Sequence, residues 1–150
     1  MWVIHQFRDD LMPIEIVKTK DSSLLANMNR LLIRDERHRN KMTVRQLTQR
    51  MKKWLSSDFR AFLFLNGDKV FGYCLFVKTK EYVYIRQFYI ERDSRRLGLG
   101  KKTMGLLRKT VWKKDKRLRL DVLVTNFRGI SFWKAVGFKD YCLTMELNRK

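Results

Sequence analysis

Several residue types are scarce in this 150-residue sequence, and each scarcity argues against a class of protein. The only two cysteines, Cys74 and Cys142, form no CxxC and have no neighbouring histidine, so we predict no disulfide scaffold and expect two free, buried thiols. His5 and His38 also lack metal-ligand spacing, and no metal site is predicted. The single proline is Pro13, and no low-complexity linker or internal repeat is present, which favours one domain.

Long apolar runs are also missing. No run approaches the roughly 18 residues that a membrane span needs. The first ten residues, "MWVIHQFRDD", lack a basic n-region and a cleavage site, so no signal peptide is predicted. Since 45% of the residues are apolar, the composition is that of a globular protein, and we expect it in the cytoplasm, away from the membrane.

Acidic residues are outnumbered. The chain has 34 Lys and Arg against 15 Asp and Glu, which gives a formal net charge of +19. Such a charge attracts anions and favours acidic partners or nucleic acid. The alternative is a generally basic surface, because the charge is spread along the chain without a long basic tail.

The first half of the sequence predicts a strand, two helices and a hairpin. Residues 13–19 ("PIEIVKT") have a strand pattern, and a helical period follows in 21–39, where Asp21, Ser22 or Ser23 would provide the cap. Thr43 and Gln46 fit a capping box at the start of a second helix. Two apolar runs, 59–65 and 70–77, then flank Asn66-Gly67, a strong hairpin signal.

The second half alternates strands and helices. Residues 81–90 ("EYVYIRQFYI") predict a third consecutive strand, and a helix follows the glycine-containing stretch 92–102. Strands are predicted at 117–125 and 141–147, with a short helix at 129–136 between them. The predicted order is β-α-α-β-β-β-α-β-α-β, which is a mixed α/β domain.

The hairpin is rich in aromatic side chains, which suggests either a stacking platform for nucleic acid or a core. A continuous aromatic hairpin is more often core, and we expect core here. The residues concerned are Phe62, Phe64, Phe71, Tyr73 and Phe76.

The stretch "RDSRRLGLGKK", residues 92–102, lies between a predicted strand and a predicted helix. A helix N-terminus has unpaired N–H groups and roughly half a positive charge, so a strand, a glycine turn and a helix make a phosphate site. The alternative is that the glycines only form a tight turn. A Walker A loop would need glycine at Arg95 and a dinucleotide fingerprint would need it at Thr103, so neither motif fits.

Two motifs together resemble the GNAT superfamily of acyl-CoA-dependent N-acetyltransferases. Arg95-x-x-Gly98-x-Gly100 is similar to its Q/R-x-x-G-x-G/A signature. Downstream, "LDVLVTNFRGISFWKAVGF" resembles its "L-x-V-x-x-x-N-x-x-A-x-x-F-Y-x-x-x-G-F" segment. The resemblance implies a GNAT-like domain over residues 1–150, with a mostly antiparallel central sheet and flanking helices.

The resemblance also implies acetyl-CoA as co-substrate, without a metal. In this superfamily the strand before the glycine loop splays from the next strand, and its free backbone groups pair with the pantetheine arm. The implied pantetheine contacts are Phe88, Tyr89 and Ile90, with Asn126 reaching the arm or anchoring the splayed strand. The pyrophosphate would lie on the N–H groups of residues 96–101, with basic side chains around it. The implied pyrophosphate residues are Arg95, Arg96, Leu97, Gly98, Leu99, Gly100 and Lys101.

Acetyl transfer to an amine needs a base, and the resemblance points to two strand positions for it. The first is Tyr84, a poor base at neutral pH. The second is Asp121. N-terminal acetyltransferases of the bacterial ribosomal-protein type, which this segment resembles, have a glutamate at that position. An ion pair or a solvated edge position would also explain Asp121. Glu91 is a weaker candidate for the base, and Glu81 is weaker again.

The general acid of the superfamily is usually a tyrosine at the position of Trp133, and an indole N–H supplies no proton at useful pH. Trp133 is therefore expected to pack on the cofactor arm. Tyr89 or Tyr141 would replace the acid, or the thiolate would leave unaided.

Two functions follow from these residues. The first is transfer of an acetyl group from acetyl-CoA to a primary amine, on a small molecule or on a peptide or protein N-terminus. The second is a basic GNAT-like module that binds RNA or the ribosome. A polycationic acceptor should be repelled unless acids such as Asp35 and Glu36 line its site. An acidic or RNA-associated partner and a homodimer are both compatible with the sequence.

Overall fold

A computed structural model describes residues 13–149. Residues 1–12, including His5, and Lys150 lie outside the described range. The chain forms a mixed α/β fold, as predicted from the sequence. Its elements in chain order are β1 (Ile14–Thr19), α1 (Ser22–Asp35), α2 (Val44–Leu55), β2 (Arg60–Asn66), β3 (Lys69–Lys78), β4 (Val83–Ile90), α3 (Arg92–Arg95), α4 (Leu99–Lys109), β5 (Leu118–Arg119) and α5 (Phe127–Ala135).

Side-chain caps begin the first two helices. The Asp21 carboxylate accepts a hydrogen bond from the Leu24 N–H at 3.0 Å, so Asp21 is the cap of α1. The predicted capping box of α2 is present in both directions, because Thr43 and Gln46 each bind the other's backbone N–H. These local contacts fix where each helix starts.

The sheet has the order β1-β2-β3-β4-β5. Its first four strands are antiparallel, and β4 pairs with β5 in parallel. The β2–β3 turn contains Gly67 at φ 62°, a left-handed conformation that glycine adopts without steric cost. The predicted Asn66-Gly67 hairpin is confirmed.

Each face of the sheet carries its own hydrophobic core. On one face α4 packs Leu99, Met104 and Leu107 against the aromatic hairpin. On the other, α1 and α2 cover Tyr73, Leu75 and Tyr89. The hairpin aromatics are core residues, as expected: Phe64, Phe71, Tyr73 and Phe76 are buried, and Phe62 is half-buried against them.

Two predictions in the C-terminal part are wrong. The strand predicted for 141–147 is absent, because the apolar side chains of this segment are exposed and no described strand pairs with it. The other predicted strand, 117–125, is ordered as β5 only at Leu118–Arg119. Cys142 is exposed rather than buried, whereas Cys74 is buried and its burial raises the thiol pKa. Both cysteines are free.

Among residues 13–149, no helix is long and apolar enough to cross a membrane. The same residues contain no group of three His, Cys, Asp or Glu side chains that would hold a metal ion.

Two glycines should respond oppositely to alanine. A Cβ at Gly72 would overlap the backbone oxygen of Tyr89 on the paired strand, so Gly72→Ala should lower the free energy of unfolding by about 1–3 kcal/mol or more. Gly105 lies within α4 with no atom near its Cβ position, so Gly105→Ala should raise it by roughly 0.5–1 kcal/mol. Urea unfolding of both variants measures the difference. Equal effects would contradict the β3–β4 packing.

Candidate active site

The sheet opens between β4 and β5. These two strands pair only at Val83–Leu118 and Tyr84–Arg119. β4 continues to Ile90, so its edge on the β5 side has no strand partner from Ile85 onward within the described residues. An exposed strand edge binds an extended ligand through backbone hydrogen bonds. The β4 edge that leads to the glycine loop is therefore free of a strand partner within residues 13–149, and its use by a cofactor arm stays a prediction.

A bulge in β4 places two adjacent polar side chains on one face. The β3–β4 register shifts at Arg86, which has no partner of its own between two paired residues. The guanidinium of Arg86 lies 4.6 Å from the ring centre of Trp54 on α2, and the neighbouring Gln87 accepts a hydrogen bond from the Tyr73 hydroxyl at 2.8 Å. Bulges re-aim side chains in this way, often beside active sites.

The glycine loop ends in an unpaired helix start. Gly98, at φ 69°, precedes α4 and provides no side-chain cap. Among the described residues, no carbonyl accepts a hydrogen bond from the N–H groups of Leu99, Gly100 or Lys101. Because these groups also lie at the positive end of the helix dipole, they have the chemistry that suits an anion.

Gly100 has a packing role that the sequence did not indicate. A Cβ there would meet the Phe132 ring at 3.2 Å and the Ile90 side chain at 3.4 Å. The absent side chain thus allows α4 to approach β4 and α5 closely. Gly98, in contrast, has no atom within 4 Å of its Cβ position.

Arg95 holds the loop in place. Its Nε donates to the Ile90 carbonyl at 2.7 Å, and a terminal nitrogen donates to the Asp35 carboxylate at 2.7 Å. The Asp35 side chain is only 11% exposed, so this ion pair joins the end of α1 to the loop after β4. Arg96 and Lys101 are exposed beside the helix start and form no ion pair within residues 13–149.

Tyr84 and Asp121 meet at the start of the open edge. The Tyr84 hydroxyl donates to the Asp121 carboxylate at 2.7 Å. Burial, followed by this hydrogen bond and the carboxylate charge, raises the pKa of Tyr84 to about 12, so the hydroxyl stays protonated at neutral pH. Asp121 itself is exposed. The two positions considered separately as the base thus form one pair.

The comparisons with known proteins agree with this geometry. The profile of the acetyltransferase (GNAT) family matches residues 25–138, well over half of the chain. The chain belongs to this acetyltransferase family. No curated protein sequence matches it significantly.

Solved GNAT structures have the same fold. A possible acetyltransferase from Clostridium difficile 630 is 18% identical with a TM-score of 0.73, covering 91% of this chain and 97% of its own. An aminoglycoside acetyltransferase from an uncultured soil metagenomic sample, in complex with sisomicin, is 16% identical with a TM-score of 0.70, covering 95% and 99%. The aminoglycoside N-acetyltransferase AAC(6')-Iy in complex with CoA is 11% identical with a TM-score of 0.70, covering 92% and 95%.

The second GNAT motif is built into α5 and its aromatic neighbours. Asn126 caps α5, because its side-chain oxygen accepts from the Gly129 N–H at 3.0 Å. Trp133 packs edge-on against Phe88, Phe132 and Phe138, with ring centres 4.9–5.2 Å apart. Much of its indole surface is thus used by this cluster, and its contact with a cofactor arm stays a prediction.

The remaining candidates lie apart from Asp121. Glu91 is at the opposite end of β4 and forms an ion pair with Lys69 at 2.9 Å. Tyr89 is buried, and burial raises its pKa, followed by the charge of Asp35. Tyr141 is 76% exposed, with the Arg119 guanidinium 4.5 Å from its ring centre.

Sequence reasoning missed a polar cluster across the face covered by α1 and α2. Arg50 donates to the Asn29 side chain at 3.1 Å and lies 4.4 Å from the ring centre of Trp54. The only sequence signal was "RQ" at 86–87, two adjacent polar residues within an apolar strand.

The Tyr84–Asp121 contact is testable by titration. Replacing Asp121 with Asn removes the carboxylate charge that favours the neutral phenol, so the pKa of Tyr84 should fall from about 12 toward the usual tyrosine value. NMR of protein labelled at the tyrosine ring measures this, with Asp140→Asn as an exposed control. An unchanged Tyr84 titration in Asp121→Asn would contradict the hydrogen bond.

Proposed function

We propose that this GNAT chain transfers the acetyl group of acetyl-CoA to a primary amine, acting as a single domain in the cytoplasm. The observation that carries the proposal is the open edge of β4 leading to the unpaired N–H groups at the start of α4. A ligand with an extended arm that ends in a pyrophosphate matches both features, with the arm along β4 and the pyrophosphate at the start of α4. Coenzyme A has this chemistry.

The cofactor residues are assigned along that path. The N–H groups of Leu99, Gly100 and Lys101 bind the pyrophosphate, and the exposed side chains of Arg96 and Lys101 add charge-assisted contacts. The span of residues 96–101 implied by the sequence is too wide, because the N–H groups of residues 96–98 already donate to the Ser94 and Arg95 carbonyls. The pantetheine arm lies along Phe88, Tyr89 and Ile90, although the Ile90 carbonyl already accepts from Arg95. Asn126 acts by capping the N-terminus of α5, and Trp133 acts by packing against the Phe88 ring.

Asp121 is the preferred base because of its position. With about 3.3 Å per residue, Tyr84 and Glu91 lie roughly 23 Å apart along β4. A pyrophosphate at the α4 end therefore places the thioester toward Tyr84 and leaves Glu91 at the phosphate end. The exposed Asp121 removes a proton from the amine, the amine nitrogen attacks the thioester carbon, and the carbon–sulfur bond breaks to release the thiolate.

Tyr84 assists Asp121. Its hydroxyl is protonated at neutral pH and orients the carboxylate by donating to one of its oxygens. The second carboxylate oxygen is left for the amine or for a bridging water. Protonation of the departing thiolate is assigned to Tyr141 or to solvent.

The first test is ligand binding at the loop. Acetyl-CoA at about 100 times its dissociation constant should stabilise the fold by roughly 2.7 kcal/mol. The double variant Arg96→Gln, Lys101→Gln should weaken acetyl-CoA binding about tenfold or more through lost phosphate contacts. The control is Lys109→Gln, Lys114→Gln, which removes equal charge at and beyond the C-terminal end of α4 and should bind normally. No thermal shift in the wild type would refute the cofactor assignment.

The second test concerns the base, using the best acceptor from an amine panel. Asp121→Asn should lower kcat by roughly 10²–10⁴-fold with acetyl-CoA affinity little changed. Glu91→Gln should retain turnover at saturating acetyl-CoA, since its carboxylate is paired with Lys69. The opposite ranking would assign the base to Glu91. Cofactor binding without turnover of any amine would favour the basic RNA- or ribosome-binding module instead.

A further inference from the structure

A wide open groove of about 1820 Å³ lies between α1, α2, β4 and the segment after β5. Tyr84 and Asp121 line it, together with Arg50, Arg86 and Trp54. The groove therefore joins the proposed base to the polar cluster of the first two helices. An acceptor that occupies the groove meets both.

Two arginines in this groove face the same indole. Arg50 and Arg86 lie 4.4 and 4.6 Å from the Trp54 ring centre, and neither forms an ion pair with a carboxylate among residues 13–149. The Nε of Arg50 is buried and has no hydrogen-bond partner within that range. Burial, followed by the charge of Arg86, lowers the pKa of Arg50. The groove thus contains positive charge that the protein itself does not neutralise.

Most of the nearby acids are already paired with basic side chains. Asp35 is occupied by Arg95, with Arg92 and Arg34 each 3.9 Å away. Glu36 lines the groove, and burial, followed by the charge of Asp35, raises its pKa. Asp115, Asp140 and Glu146 also line the groove, and each lies within 4.0 Å of a lysine or arginine nitrogen. A polycationic acceptor would have to compete with these basic side chains, and it would also face Arg50 and Arg86.

The spacing on β4 sets the size of the acceptor. Arg86 is two residues beyond Tyr84, about 7 Å along the strand. Guanidinium groups bind carboxylates and phosphates through paired N–H donors. An anionic group at Arg86 and an amine at Asp121 therefore belong to a molecule only a few bonds long.

We propose that the acceptor is a small amine that also carries an oxyanion, a carboxylate or a phosphate, held by Arg50 and Arg86. This inference rests on the proposed acetyltransferase function and names its substrate class. The proposed acceptor of this chain therefore differs in charge from sisomicin, the ligand of one structural relative, because sisomicin is a polycation.

The test uses matched pairs of amines that differ only in the oxyanion. The pairs are phenylalanine with phenylalanine amide, and O-phosphoethanolamine with ethanolamine, and sisomicin is added as the polycation. Binding is measured by calorimetry with CoA present, and acetyl transfer by thiol release. In at least one pair the oxyanion member should bind and react at least tenfold better. The pair that responds distinguishes carboxylate from phosphate.

Variants assign the preference to the groove. Arg86→Gln and Arg50→Gln should each reduce the preference about tenfold, mainly through KM, while the acetyl-CoA thermal shift remains. Arg45→Gln is the matched control, because it removes an exposed arginine from α2 outside the groove and should keep the preference.

Several results would overturn the proposal. The first is equal binding of both members in every pair, which includes no binding of either member. The second is a preference for sisomicin. The third is a loss of the oxyanion preference in Arg45→Gln as large as that in Arg86→Gln or Arg50→Gln. If the acetyl-CoA shift persists in that case, only the acceptor class is wrong. If the wild type shows no acetyl-CoA shift, the acetyltransferase proposal itself fails.

Discussion

The short parallel pairing of β4 with β5 is the constraint on which the site depends. Two residue pairs hold the strands together, and beyond them the β4 backbone is free on one side. A longer ladder would satisfy those backbone groups internally and close the path to the start of α4. The open edge is tolerated because the α4 core and the α1–α2 core hold β4 from both faces of the sheet.

The bulge at Arg86 gives the same strand a second function. Without it, alternation would send Arg86 and Gln87 to opposite faces. With it, both contact the α1–α2 face, and Phe88 returns to the aromatic cluster behind the glycine loop. One extra residue thus lets β4 provide the surface proposed for the acceptor at its start and the edge proposed for the cofactor at its end.

Features set by near neighbours in the sequence were predictable. The Asn66-Gly67 turn, the Thr43–Gln46 capping box and the Gly98 turn are each decided within a few residues. The GNAT fold followed from two motifs in the expected order. The strand prediction at 141–147 was wrong because a strand also needs a neighbour to pair with. Alternation of apolar and polar residues indicates which face a strand would bury, but it does not show that a neighbouring strand is present.

Contacts between distant residues were not predictable. Tyr84 binds Asp121 across 37 positions, and Arg95 binds Asp35 across 60. Each partner had been noted for a separate reason, and only the fold joins them. The Asp35 pair changes the interpretation most, because it removes an acid that a cationic acceptor would have needed.

The net charge of +19 and the local arginines act over different ranges. At physiological salt the Debye length is about 8 Å, so the overall charge mainly raises the rate at which any anion arrives. It does not distinguish acetyl-CoA from an anionic acceptor or from nucleic acid. Discrimination must come from contacts shorter than that length, where the α4 N–H groups and the cluster of Arg50, Arg86 and Trp54 present different geometries. Two anionic substrates can therefore share one basic protein and still bind at separate places.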